Sequence, residues 1–108
     1  MVEQRIRHMV IFNLQVEVDT EEADQFLRKS KAILEIIPLV EKFEVFRQVS
    51  SKNDYEYGFS MEFADKEAYT AYNTHPAHVD YVENIWKNEV VRFLEIDFKS
   101  ALHNVSIG

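Results

Sequence analysis

The chain has 108 residues, no cysteine and a net charge of −7. That length suits one domain, expected over 1–108 with a core from about 6 to 98 and a tail over 99–108. Without cysteine there are no disulfides, thiolate nucleophiles or Cys-based metal sites. Two glycines in all exclude a glycine-rich phosphate loop. Twelve basic residues against nineteen acidic ones form no basic run, so neither nucleic acid nor an anionic membrane is an expected partner.

The N-terminal stretch MVEQRIRHMVIFNL lacks the layout of a signal peptide, and no apolar run approaches membrane-spanning length. A cytoplasmic protein is the expectation, and the NVS sequon at Asn104 then carries no glycosylation meaning.

In chain order, IRHMVIFNL (Ile6 to Leu14) reads as a strand, with His8, Val10, Phe12 and Leu14 on one face and Arg7, Met9, Ile11 and Asn13 on the other. A helix follows over DTEEADQFLRKSKAILEII, capped by Asp19 or Thr20 and ended by Pro38. KFEVFRQVS is a second strand and NDYEYGFSMEF a third, joined by the turn residues SSKND. In the third strand Tyr55, Tyr57, Phe59, Met61 and Phe63 share a face. Asp65 to Tyr72 reads as a short helix, and NTHPAHVDYVENIWKNE as another with Pro76 in its first turn. VVRFLEIDF (Val90 to Phe98) is the last strand.

The order β-α-β-β-α-β with short connections predicts an α+β, ferredoxin-like fold, a four-stranded antiparallel sheet with helices on one face. The helices shelter the aromatic face of the third strand and the Val10, Phe12, Leu14 face of the first. The other face is expected to carry Met9, Ile11, Phe46, Val91 and Phe93. Left wet, such a patch marks an interface, so a homodimer through the sheet faces is expected.

Two of the chain's four histidines stand three residues apart in THPAHVDYVENIW. On a helical wheel His75 and His78 share the apolar arc of Val79, Val82, Ile85 and Trp86. His8 faces the same layer from the first strand, and Tyr72 stands close to both histidines. Such polar groups in an apolar layer make a small-molecule pocket, with Phe59, Trp86 and His75 as further ligand contacts. The bland alternative is that His78 is a core residue and His75 only a helix cap. A metal site built on His8, His75 and His78 lacks further ligands, so none is expected.

RHMVIFNL, IIP, YNTHPAHVDYVENIW and FLEIDF together resemble the stress-responsive A/B barrel (Dabb) domain family, from about Ile6 to Phe98. The resemblance implies a dimeric α+β barrel of two ferredoxin-like chains. Most members have no established activity, and one branch resembles polyketide cyclases that close a linear poly-β-ketone by intramolecular aldol condensation. By that resemblance His78 would be the base, Tyr72 its assistant and His8 a pocket residue, with no cofactor. Two functional classes therefore stand side by side. One is a cofactor-free cyclase- or lyase-like enzyme acting on a small, partly apolar carbonyl compound. The other is a non-catalytic stress-response or ligand-binding dimer. Oxygenase chemistry on haem or quinol substrates, as in related dimeric barrels, has no sequence feature in its favour.

Overall fold

The computed structural model describes residues 4–102. The elements run β1 (Ile6–Leu14), α1 (Glu21–Leu34), β2 (Glu41–Arg47), β3 (Tyr57–Phe63), α2 (Lys66–Thr74) and α3 (Pro76–Tyr81). A π-helical turn (Val82–Trp86) and a closing α turn (Lys87–Glu89) then prolong α3 up to β4 (Val90–Phe98). The four strands pair antiparallel in the order β2-β3-β1-β4, as the ferredoxin-like reading requires. Of the expected tail, residues 103–108 and the Asn104 sequon lie outside the described residues.

Short polar side chains start the first two helices by satisfying backbone N–H groups that have no intrahelical partner. Thr20 rather than Asp19 caps α1, its hydroxyl accepting from the Ala23 N–H at 3.2 Å. Asp19 sits just outside at φ 62°, donating its own N–H to the Tyr57 hydroxyl and binding Arg47. Asp65 caps α2 through the Ala68 N–H at 2.8 Å. The first helix stops at Leu34, short of the expected Ile37. Tight turns take over there, Ile37 N–H to Leu34 O and Val40 N–H to Ile37 O, and they bury Ile37 while leaving Ile36 outside.

The core lies between the sheet and the helices. Phe12 is its centre, fully buried, with ring centroids of Phe59, Trp86, Phe26 and Tyr57 at 4.8, 5.0, 5.9 and 6.0 Å. Tyr57, Phe59, Met61 and Phe63 are buried on the helix-facing side of β3, as their alternation predicts. Tyr55 does not join them. It precedes the strand, and the guanidinium of Arg92 lies 4.2 Å from its ring centroid.

The composition of the sheet's outer face differs from expectation at β4. Register sets Phe93 opposite Phe12, which turns Phe93 toward the helices, where it meets Trp86 edge-on at 5.6 Å. Leu94, Ile96 and Phe98 stand opposite Ile11, Met9 and Arg7 instead, on the outer face. The register shifts at Asn13/Leu14, where Val91 has no partner in β1. Both faces of β4 carry apolar side chains, so alternation alone does not set its parity; pairing with β1 does. At one end of the outer face the buried carboxylate of Glu62 binds Arg5 at 3.2 Å, Arg7 at 2.7 Å and Lys42 at 3.7 Å. Burial pushes this carboxyl group up, but the Arg5 hydrogen bond and the charges of Lys42 and Arg7 outweigh it and hold it below its usual range.

Because four aromatic rings close around Phe12, its removal leaves a cavity that they cannot refill. Phe12→Ala is expected to lower unfolding free energy by about 3–5 kcal/mol in urea titration. A loss below about 1 kcal/mol would contradict this account of the core.

Candidate functional site

Between β1, β3 and β4 on one side and the helices on the other lies a cavity of about 280 Å³. Its walls are mainly apolar, with Val10, Leu34, Phe59, Met61, Trp86 and Phe93 among them. That is close to the lower end of the roughly 300–1,000 Å³ range of small-molecule sites. Polar side chains enter it from different elements: His8 from β1, Tyr72 and Asn73 from α2, His78 from α3, and Glu95 from β4.

Helix geometry delivers His78 and Tyr72 together. Pro76 occupies the first turn of α3, and His75 caps it, its Nδ1 accepting from the Ala77 N–H at 3.0 Å. With α2 ending at Thr74, the break between the helices folds His78 back over Tyr72, ring centroids 4.4 Å apart. His78 Nδ1 lies 3.2 Å from the Asn73 carbonyl. A carbonyl only accepts, so Nδ1 carries the proton and Nε2 is the basic nitrogen. Burial lowers the His78 pKa from its usual value; the Asn73 carbonyl and the Glu95 charge act against this, and His8 adds to it. The imidazole is thereby kept neutral near pH 7.

Tyr72 is only 2% exposed. Among the described residues its hydroxyl has no hydrogen-bond partner, and burial raises its pKa strongly. A buried hydroxyl without a partner forgoes about 1–3 kcal/mol, and such groups ask for a functional explanation. The other buried tyrosine of this wall, Tyr81, is satisfied, donating to Ser30 Oγ at 2.7 Å.

His8 is held by groups that the sequence reading did not single out. Register places it opposite Asp97, and its Nδ1 donates to Asp97 Oδ1 at 2.6 Å. The Tyr69 hydroxyl donates to the same carboxylate, 3.0 Å from Oδ2, and stands 3.0 Å from His8 Nδ1. Burial raises the Tyr69 pKa, and the Asp97 charge raises it further, so the phenol stays protonated. A carboxylate that binds one ring nitrogen holds the proton on that nitrogen and sets the orientation of the ring, with Nε2 on its opposite side. Downstream, the Lys87 N–H reaches the Val82 carbonyl five residues back, so the π-helical turn widens the helix where Val82 and Trp86 line the cavity.

The profile of the Dabb family, described as Stress responsive A/B Barrel Domain, matches residues 6–100. The chain belongs to the stress-responsive A/B barrel (Dabb) family. It is 26% identical over 97 residues to the stress-response A/B barrel domain-containing protein HS1 of Arabidopsis thaliana, covering 87% of this chain and 88% of that one. A crystal structure of a Dabb family protein with a ferredoxin-like fold from Mesorhizobium loti is 50% identical, with a TM-score of 0.86, over 89% of this chain and 96% of that one. A protein of unknown function from Bacteroides fragilis, described as dimeric and ferredoxin-like, shares the fold at 23% identity and a TM-score of 0.68, over 89% and 96% of the two chains.

In this Dabb chain five of the six sequence-predicted site residues, His8, Phe59, Tyr72, His78 and Trp86, line one cavity. His75 lies outside its lining and serves as the α3 cap. Asp97, Tyr69 and Glu95 are site residues that the sequence does not single out. The alternation of LEIDF could have put both acids on the side of Phe93, but only with the parity of β4 in hand. Among the described residues no cluster of three or more His, Asp or Glu is arranged to hold a metal ion.

Loss of Asp97 removes the group that fixes the His8 tautomer. In Asp97→Ala, ¹⁵N shifts of the His8 ring are expected to show both neutral tautomers, whereas the wild type shows the Nδ1–H form. Tyr69→Phe is expected to keep that tautomer and cost about 1 kcal/mol. A ring that stays in one tautomer in Asp97→Ala would assign its orientation elsewhere.

Proposed function

We propose that the cavity binds a small, partly apolar carbonyl compound and catalyses proton transfer at the carbon next to the carbonyl, the step that starts an intramolecular aldol closure of the polyketide cyclase type. The observation that carries this reading is the buried Tyr72 hydroxyl, which has no partner among the described residues and stands against the neutral imidazole of His78. In the proposed step His78 Nε2 takes the α-proton, and the electron pair of the broken C–H bond moves onto the carbonyl oxygen. The Tyr72 O–H donates to that developing enolate oxygen. Its raised pKa makes it a hydrogen-bond donor that keeps its proton. The enolate carbon then attacks a second carbonyl of the same molecule, and the proton on His78 goes to the new alkoxide. His8, steadied by Asp97, orients the substrate.

α-Deuterium exchange on a phenyl ketone, measured above the buffer background, tests the first step. His78→Ala is expected to lower the exchange rate by about 10²-fold or more, and Tyr72→Phe by about 10²-fold. Because the His78 pKa lies below its ordinary value of about 6.5, the rate should hold from pH 7 to below 6.5 before falling. Exchange that stays at background in the wild type, while ligand still binds, would favour the non-catalytic reading.

The working unit in this proposal is a homodimer whose outer sheet faces meet. Supporting it, Phe46, Leu94 and Phe98 are 44, 47 and 50% exposed on that face, beside Met9 and Ile11. Burying each would contribute roughly 1.5–3 kcal/mol at most. Light scattering after size exclusion should give a dimer for the wild type and a monomer for Leu94→Lys; a wild-type monomer at micromolar concentration would refute this interface.

A further inference from the structure

The walls of the cavity differ in charge. Register sets Glu95 opposite Val10, on the helix-facing side of β4, and its side chain lines the cavity. Among the described residues its carboxylate accepts no hydrogen bond and joins no ion pair. It is close enough for its charge to act on His78, Tyr72 and Tyr69. Two residues along the strand, Asp97 is spent on His8 and Tyr69. Lys87 also lines the cavity, but its ammonium is bound to Glu83 at 2.8 Å. Among the described lining residues Glu95 is thus a carboxylate with no partner, while the one lysine, Lys87, is turned toward Glu83.

We propose that Glu95 makes the cavity selective for carbonyl compounds that are neutral or cationic at the end facing His78 and Tyr72, and that it rejects those carrying a carboxylate there. The proposal rests on the reading of this cavity as a carbonyl site. Glu95 is exposed at the cavity's rim, so a ligand carboxylate beside it is repelled through water, an effect that is largest at low salt. A hydroxyl or ammonium group on the ligand would instead give Glu95 a charge-assisted hydrogen bond. The function of Glu95 is thus to choose among ligands that the apolar walls alone would accept equally.

Trp86, the chain's single tryptophan, lines the cavity, so its fluorescence reports occupancy without any turnover. Three probes of similar size separate the charges: benzoylpropionate, its methyl ester and the permanently cationic benzoylpropyl-trimethylammonium. At pH 7 and low salt the wild type should bind the ester and the ammonium compound at least about tenfold more tightly than the carboxylate. Glu95→Gln should bring all three to within about threefold, and it should fold normally because Glu95 is exposed. A wild type that binds the carboxylate as tightly as the ester overturns the charge selection and leaves carbonyl binding standing. Quenching by none of the three overturns both.

Discussion

The antiparallel pairing of β1 with β4 is the constraint on which the rest depends. It sets Phe12 against Phe93, Val10 against Glu95 and His8 against Asp97. A slip of one residue would turn every β4 side chain to the other face. Asp97 would leave His8, Glu95 would leave the cavity, and Leu94, Ile96 and Phe98 would be driven into the helix layer. The aromatic cluster around Phe12 opposes such a slip, since Phe93 packs against the Trp86 ring that also meets Phe12. One register thus serves both the core and the chemistry.

That arrangement explains how a polar site persists inside an apolar layer. Buried polar groups are tolerated when they are hydrogen-bonded. His8, Asp97 and Tyr69 satisfy one another, and Tyr81 satisfies Ser30. Against this background the Tyr72 hydroxyl stands out, because its neighbours in the same wall are paired. The cavity's apolar side also explains the behaviour of His78. Burial that would be costly for an imidazolium keeps the ring neutral and basic at the pH where a base is wanted.

The two faces of the sheet divide the work. The inner face combines the aromatic core with the site. The outer face combines an apolar strip at Ile11, Phe46 and Leu94 with the ion network that gathers Arg5, Arg7 and Lys42 around Glu62. The carboxylates Glu62, in β3, and Glu56, just before it, are both committed outside the cavity. Glu62 takes cations, and Glu56 accepts the Leu14 N–H at 3.3 Å. Neither is available for acid–base work in the cavity.

The sequence by itself determined the element order, the inward face of β1 and of β3, and the candidate trio of His8, Tyr72 and His78. Each of these is a local property, period two in IRHMVIFNL and YGFSMEF, or helical spacing and a proline in THPAHVDYVENIW. Tertiary structure alone decided the parity of β4, because VVRFLEIDF offers apolar side chains to both faces and only its partner strand chooses between them. With that choice came Asp97 beneath His8, Tyr69 across from it, and Glu95 in the cavity wall. For His75 the sequence left two roles open, pocket contact and helix cap, and the structure shows the cap, a local bond in which the Ala77 N–H donates to its ring. Contacts between residues some sixty to ninety positions apart, such as Tyr69 and Asp97 with His8, are set by how strands and helices pack, and no local pattern encodes them.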